Sequence, residues 1–230
     1  VFAMDTGSNS STIPTFDSGF PVDFAFQKLY AGSEDWYLSS RLIQGKYLFT
    51  NTSEEESSSG NMVFDSNAGW ALDSNSTYQS WMWKRHAGMD VVTYSGTGSA
   101  RQIPHNLSKI PDMLWIKCRD DDKSWIVGHK GLNGGVNSEQ YHLYLNLSNS
   151  EIDDDIFNDT AHTSTHFNVK TSQNVNGSNK EYIAMLFASV EGISSVGSFT
   201  GPDPEATITI DCGFQPRFVM IKCASHARDW

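Results

Sequence analysis

Three acidic runs, Glu54-Glu55-Glu56, Asp120-Asp121-Asp122 and Asp153-Asp154-Asp155, are the densest groups of reactive side chains in the sequence. Carboxylates this close together can ligate Ca2+ through oxygen. A pair facing one sugar can hydrolyse a glycosidic bond. None of the runs follows the EF-hand spacing, and each falls in a stretch that reads as loop, where solvated charge is the ordinary interpretation. His162 and His166 stand four apart, which would put two imidazoles on one helix face. They lead into a strand-like stretch, however, and no metalloprotease His-Glu-x-x-His pattern surrounds them. His86, His105, His129, His142 and His226 are scattered. No Gly-x-Ser-x-Gly elbow is present, and no cysteine neighbourhood suggests an activated thiol. The glycines of "GTGSA" and "GLNGG" precede no Lys-Ser/Thr pair, so they imply turns and no phosphate loop. The sequence thus assigns no catalytic residue, no metal ligand and no cofactor, and implies a protein that is not an enzyme.

Aromatic rings are the other candidates. Trp81 and Trp83 are two apart and would share one face of a strand; with Trp70 they are the candidates for stacking on a host-surface glycan. Trp36, Trp125 and Trp230 recur at one position of a repeated pattern, which points to packing. Cys118, Cys212 and Cys223 make an odd count, so a closed disulfide framework is not expected, although one bridge is possible. Asn-x-Ser/Thr sequons at Asn9, Asn51, Asn75, Asn106, Asn146, Asn158 and Asn176 matter only if the chain is secreted by a eukaryote.

The elements that carry these residues follow from a repeat. "PVDFAFQKLYAGSEDW", "PDMLWIKCRDDDKSW" and "PRFVMIKCASHARDW" each combine a proline, an apolar run, a lysine and, after seven residues, a tryptophan. The anchors are Lys28 and Trp36, Lys117 and Trp125, and Lys222 and Trp230. Gly7, Gly96 and Gly201 each precede their lysine by the same 21 residues. The period, 89 and then 105 residues, suits one small domain per repeat. The expected organisation is 1–90 as a first β-sandwich, 91–194 as a second and 195–230 as the start of a third, incomplete one. Starting at Val1 and stopping in mid-motif, the chain reads as a piece of a longer protein.

Within one repeat, residues 112–117 carry Met113 and Trp115 on one face and Leu114 and Ile116 on the other. A strand apolar on both faces belongs at the centre of a sheet. Phe24 and Phe26 oppose Ala25 and Gln27 in the first copy, where Gln27 predicts a less covered face; Phe218 and Met220 oppose Val219 and Ile221 in the third. The polar seven-residue stretch after each lysine reads as a hairpin loop. Further strands are expected at 46–50, 69–73, 79–84, 91–95, 100–105, 141–146, 166–170 and 181–188, and one helical turn at 151–158. The fold class is all-β: tandem antiparallel β-sandwiches, jelly-roll-like, with the third incomplete.

The run "YSGTGSARQIPHNLSKIPDMLWIKCRDDDKSWIVGHKGLNG", with "YHLYLN", "FNDTAHTSTHFNV" and "VNGSNKEYIAMLFASVEG" after it, resembles an uncharacterised tandem β module of tail-region and fibre-like proteins of cyanophages and similar marine tailed phages. Residues 91–230 carry the likeness well and 1–90 more loosely. The resemblance implies a virion structural protein: a tail-fibre, tail-associated or capsid-decorating chain on the particle surface. It also implies other virion proteins as partners, a homo-oligomer with a trimer favoured by class habit, and host-surface attachment. The alternatives are a glycan-binding module of a bacterial surface adhesin and a polysaccharide depolymerase. A net charge of −11 argues against nucleic acid and anionic membranes as partners, and no run of 18 apolar residues is present.

Overall fold

The computed structural model describes residues 1–8, 14–71, 77–202 and 206–230. Its strands form two sets. The first comprises β1 (Phe2–Thr6), β2 (Phe16–Asp17), β3 (Phe24–Leu29), β4 (Tyr37–Ser40), β5 (Lys46–Phe49), β6 (Ser57–Ser58), β7 (Gly69–Trp70) and β8 (Tyr78–Trp83). The second comprises β9 (Met89–Ser95), β10 (Arg101–Pro104), β11 (Met113–Cys118), β12 (Ile126–His129), β13 (Tyr141–Tyr144), β14 (Ile152–Asp153), β15 (His166–Val169) and β16 (Glu181–Phe187). We refer to each set as a module.

The strand order is the same in both. One six-stranded sheet runs β1-β8-β3-β4-β5-β6 and the other β9-β16-β11-β12-β13-β14, while β2-β7 and β10-β15 each form a two-stranded ribbon. All pairings are antiparallel. From the hairpin onward the registers also agree. Tyr37 faces Phe49 as Ile126 faces Tyr144, and Lys46 faces Ser58 as Tyr141 faces Asp153. The ladder around the last strand is offset. Lys28 and Thr6 both face Gln79, whereas Lys117 and Thr93 both face Ile183. Thr6 is one residue before Gly7, and Thr93 is three before Gly96. A slip of two residues leaves every side chain on its own face, so it does not disturb the burial pattern.

Each six-stranded sheet is covered on both sides. Leu114, Ile116 and Cys118 pack with Ile103, Phe167 and Val169 beneath the β10-β15 ribbon. In the first module Ala25 and Met82 pack with Phe16, Phe64 and Trp70 beneath β2-β7. The opposite faces meet in a single shared core: Phe24, Phe26, Leu38 and Leu48 from one sheet, and Val91, Trp115, Val127, Ile183 and Met185 from the other. The modules are therefore two sandwiches fused along a common apolar layer, and not beads on a string. Gly96 marks a close backbone approach, since a Cβ there would lie 2.1 Å from the Gly177 carbonyl oxygen.

Three expectations need correction, and one is met as far as the described residues go. Residues 151–158 form β14 and loop instead of a helical turn, because Ile152 pairs with His142 on the sheet edge. Gln27 is not on a less covered face; it is 1% exposed, and neither its amide nitrogen nor its oxygen has a hydrogen-bond partner among the described residues. The 69–73 strand is seen as Gly69–Trp70, and its last two residues lie outside the described ones. Among the described residues of 195–230 no strand forms, although Phe218, Met220, Ala224 and Trp230 pack on the shared core.

Candidate functional site: the junction between modules

The lysine and tryptophan of the repeat sit at one hairpin, and each has a defined role. Lys28 Nζ donates to the carbonyl of Glu34, Lys222 Nζ to that of Arg228, and Lys117 Nζ to those of Cys118 (2.6 Å) and Asp121 (3.2 Å). In β3 and β11 the ammonium ties the loop back to the strand it left, and Lys222 makes the corresponding bond in the last segment. Lys117 is fully buried, and that burial lowers its pKa to about 8. The backbone N–H of Trp36 donates to Asn51 Oδ1 and that of Trp125 to Asn146 Oδ1, both at 2.9 Å.

The indoles reach outward. Trp125 Nε1 donates to the carbonyl of Phe49, the last residue of β5, at 2.8 Å. Trp230 Nε1 donates to the carbonyl of Tyr144, the last residue of β13, at 2.8 Å. Phe49 and Tyr144 occupy the same place in their modules, so one bond is made twice, from the second module to the first and from the last segment to the second module. A second bond repeats with it. Glu56 N–H donates to the Arg119 carbonyl at 2.8 Å, and Glu151 N–H to the Ala224 carbonyl at 2.7 Å. Arg119 and Ala224 each lie two residues after the repeat lysine.

The residues on the receiving side form a pattern, Asn-x-Ser-x-x-Glu, at Asn51–Glu56 and again at Asn146–Glu151. Sequence reasoning missed it, because both asparagines looked like chance sequons. The distance from Trp to Asn is also 15 residues in one copy and 21 in the other, so fixed spacing did not reveal it. The extra residues belong to the connection between β12 and β13, which takes up the difference without altering the register that follows.

Two acidic runs are spent on this junction. The Glu56 carboxylate is 4% exposed and accepts from Arg119 Nε at 2.6 Å and Nη2 at 3.1 Å, with Lys46 Nζ at 2.7 Å. Solvated charge is thus the wrong description of Glu56. Asp122 Oδ1 accepts from Glu55 N–H at 2.9 Å across the junction, and Asp120 Oδ2 accepts from Glu181 N–H at 2.6 Å within the second module. Asp121 pairs with Lys123 and Lys180. In the third run, Asp155 pairs with Lys170. No cluster of three or more His, Cys, Asp or Glu side chains suited to a metal occurs among the described residues.

The other sequence candidates are dispersed. Trp70 is fully buried and stacks between Phe16 and Phe64, with Nε1 donating to Ser80 Oγ at 3.0 Å, so it has no face for a sugar. Trp81 and Trp83 do share a strand face, but that face turns toward the shared core. Trp81 packs against Phe26 and Trp36, and Trp83 against Phe2, Phe24, Phe26 and Phe218. His162 Nδ1 accepts from Asn168 N–H at 3.3 Å, and burial lowers its pKa to about 4. The three cysteines are free, with Cys118 buried.

Where the modules meet, a cavity of about 470 Å³ is lined by Phe26, Trp36 and Asn51 from the first, Trp115 and Asn146 from the second, and Met220 and Trp230 from the last segment. Trp115 Nε1 is buried without a hydrogen-bond partner among the described residues. A smaller cavity of about 270 Å³ lies at the link between the modules, beside Arg85 and Asp90.

The fold is all-β, built of antiparallel sheets packed as sandwiches. The chain belongs to the family described as Domain of unknown function (DUF7483), whose model matches residues 3–230 and so runs through both modules and the last segment. No curated protein and no solved structure matches the chain.

Proposed function

We propose that the chain is a structural component of the outside of a tailed-phage particle, a tail-fibre, tail-associated or capsid-decorating protein, and that it works as a rigid body instead of as a catalyst. The observation that carries the structural half of this reading is the repeated indole bond, Trp125 to Phe49 and Trp230 to Tyr144. The residues that the sequence offered for chemistry are largely consumed in cohesion: Glu56 grips Arg119, Asp122 caps the Glu55 N–H, and the tryptophans close junctions and cores. Apolar and charge-assisted contacts of this density resist relative motion of the modules, which suits a spacer that must hold a shape. The virion half rests on the likeness of 91–230 to marine-phage tail-region modules. In that setting the chain packs with other virion proteins and stands between the particle and the host surface.

Immunogold labelling of intact particles with antibody against the chain tests the location. Gold on tail or capsid supports the proposal. Label confined to infected-cell lysate, with bare particles, overturns it.

A further inference from the structure

We propose that residues 206–230 form the leading part of a third module, and that the Trp36 end of the first module is the socket on which this third module closes, giving a ring of three around the central cavity. The inference goes beyond the location proposed above and stands on the junction geometry alone.

The last segment matches the modules position by position but is solvated where they are buried. Leu114 and Ile116 are 1% and 0% exposed, and Ala25 and Gln27 are 0% and 1%; their counterparts Val219 and Ile221 are 61% and 56% exposed. Ile103 in the ribbon is 1% exposed, while Ile208, equally far past its glycine, is 43% exposed. One face of the segment already does what the modules do. Phe218 and Met220 enter the shared core, and the junction bonds from Ala224 and Trp230 to the second module are made. What lacks a cover is the face that a module buries against its own ribbon.

The same segment also touches the first module. Phe218 lies 5.8 Å from Phe26, 5.6 Å from Trp83 and 6.2 Å from Phe2, ring centre to ring centre. A chain of modules running straight on would carry the third unit away from the first. Here it returns to it, and the cavity is lined by the matching residues Phe26, Trp115 and Met220, one from each unit. Closure of the ring calls for one more junction, in which the first module offers its hairpin. The Trp36 indole corresponds to those of Trp125 and Trp230, and the carbonyl of the exposed Tyr30 to those of Arg119 and Ala224. The occupant is therefore the β5–β6 edge of the third module, bringing a strand-end carbonyl to Trp36 and a backbone N–H to Tyr30. A second copy of this chain is a poor fit, because its two edges of that kind are already occupied by its own Trp125 and Trp230.

The test extends the full chain by a copy of residues 126–187 joined after Trp230, and in a second version by a copy of residues 37–83. Hydrogen exchange of the indole N–H groups is followed by 15N NMR and assigned with Trp→Phe variants. In a monomeric extended chain the Trp36 indole should exchange at least about tenfold more slowly than in the parent chain. W36F should remove most of the thermal stabilisation gained by the extension. Unchanged Trp36 exchange in both extended chains overturns the proposal. So does a slow Trp36 indole in the parent, either as a dimer by light scattering, which makes the occupant a second copy, or as a monomer, which means the socket is already filled.

Discussion

Replacing Trp125 with phenylalanine deletes the N–H that reaches Phe49 and leaves the smaller ring in a fully buried site. The hydrogen bond contributes about 1 kcal/mol, and the void left by the lost ring atoms costs a further ~1–2 kcal/mol, for a total near 2–3 kcal/mol. In a chain of this length that lowers Tm by about 5–10 °C. Trp36→Phe is the internal control. It removes the same atoms at the same hairpin position from a half-buried ring, and its backbone N–H contact with Asn51 is the counterpart of the one Trp125 makes with Asn146. Its expected cost is under about 1 kcal/mol. Urea unfolding at constant m-value measures both. Replacing the Trp125 indole by benzothiophene, which keeps the volume but lacks the N–H, isolates the bond at about 1 kcal/mol. Equal losses for Trp125→Phe and Trp36→Phe, or no loss with benzothiophene, would refute the assignment of Trp125 to the junction.

Three further changes probe the neighbouring contacts. Glu56→Ala strands Arg119 at the module boundary and should cost about 2–3 kcal/mol in urea unfolding, with Glu56→Gln losing less. Gln27→Ile places, at a buried amide without partners, the residue type that stands at 116 and 221; it should raise stability by about 1–2 kcal/mol, seen as a higher Tm. His142 is buried with both ring nitrogens unpartnered among the described residues, facing the Tyr144 ring and near Asp154, and burial lowers its pKa. The unfolded chain therefore takes up the proton first. The stability due to this group is full above about pH 6.5 and falls as the pH drops below that, by at most ~1.4 kcal/mol per unit. His142→Phe should flatten the fall in Tm between pH 7 and 5; a parallel fall in the variant argues against it.

Much of the framework was legible because its signals are local and two-sided. A strand apolar on both faces, such as Met113 to Ile116, can only be central, and a polar stretch between it and a tryptophan-led run can only be a hairpin. What the sequence hid were relations between distant segments. Glu56 looks like any loop glutamate until Arg119 arrives beside it. Asn51 and Asn146 look like sequons until the tryptophan N–H groups are placed. Trp70 could not be told from a surface platform, since its burial depends on Phe16 and Phe64 folding over it. Val219 and Ile221 have the alternation of a strand, yet form none among the described residues, because a strand requires a neighbour.

The central claim is that two successive junctions are built by the same bond. Hydrogen exchange of the indole N–H groups in the parent chain tests it most directly. Trp125 and Trp230 should both exchange about tenfold or more slowly than Trp36. If either one exchanges as fast as Trp36, the junctions are not equivalent and the account fails.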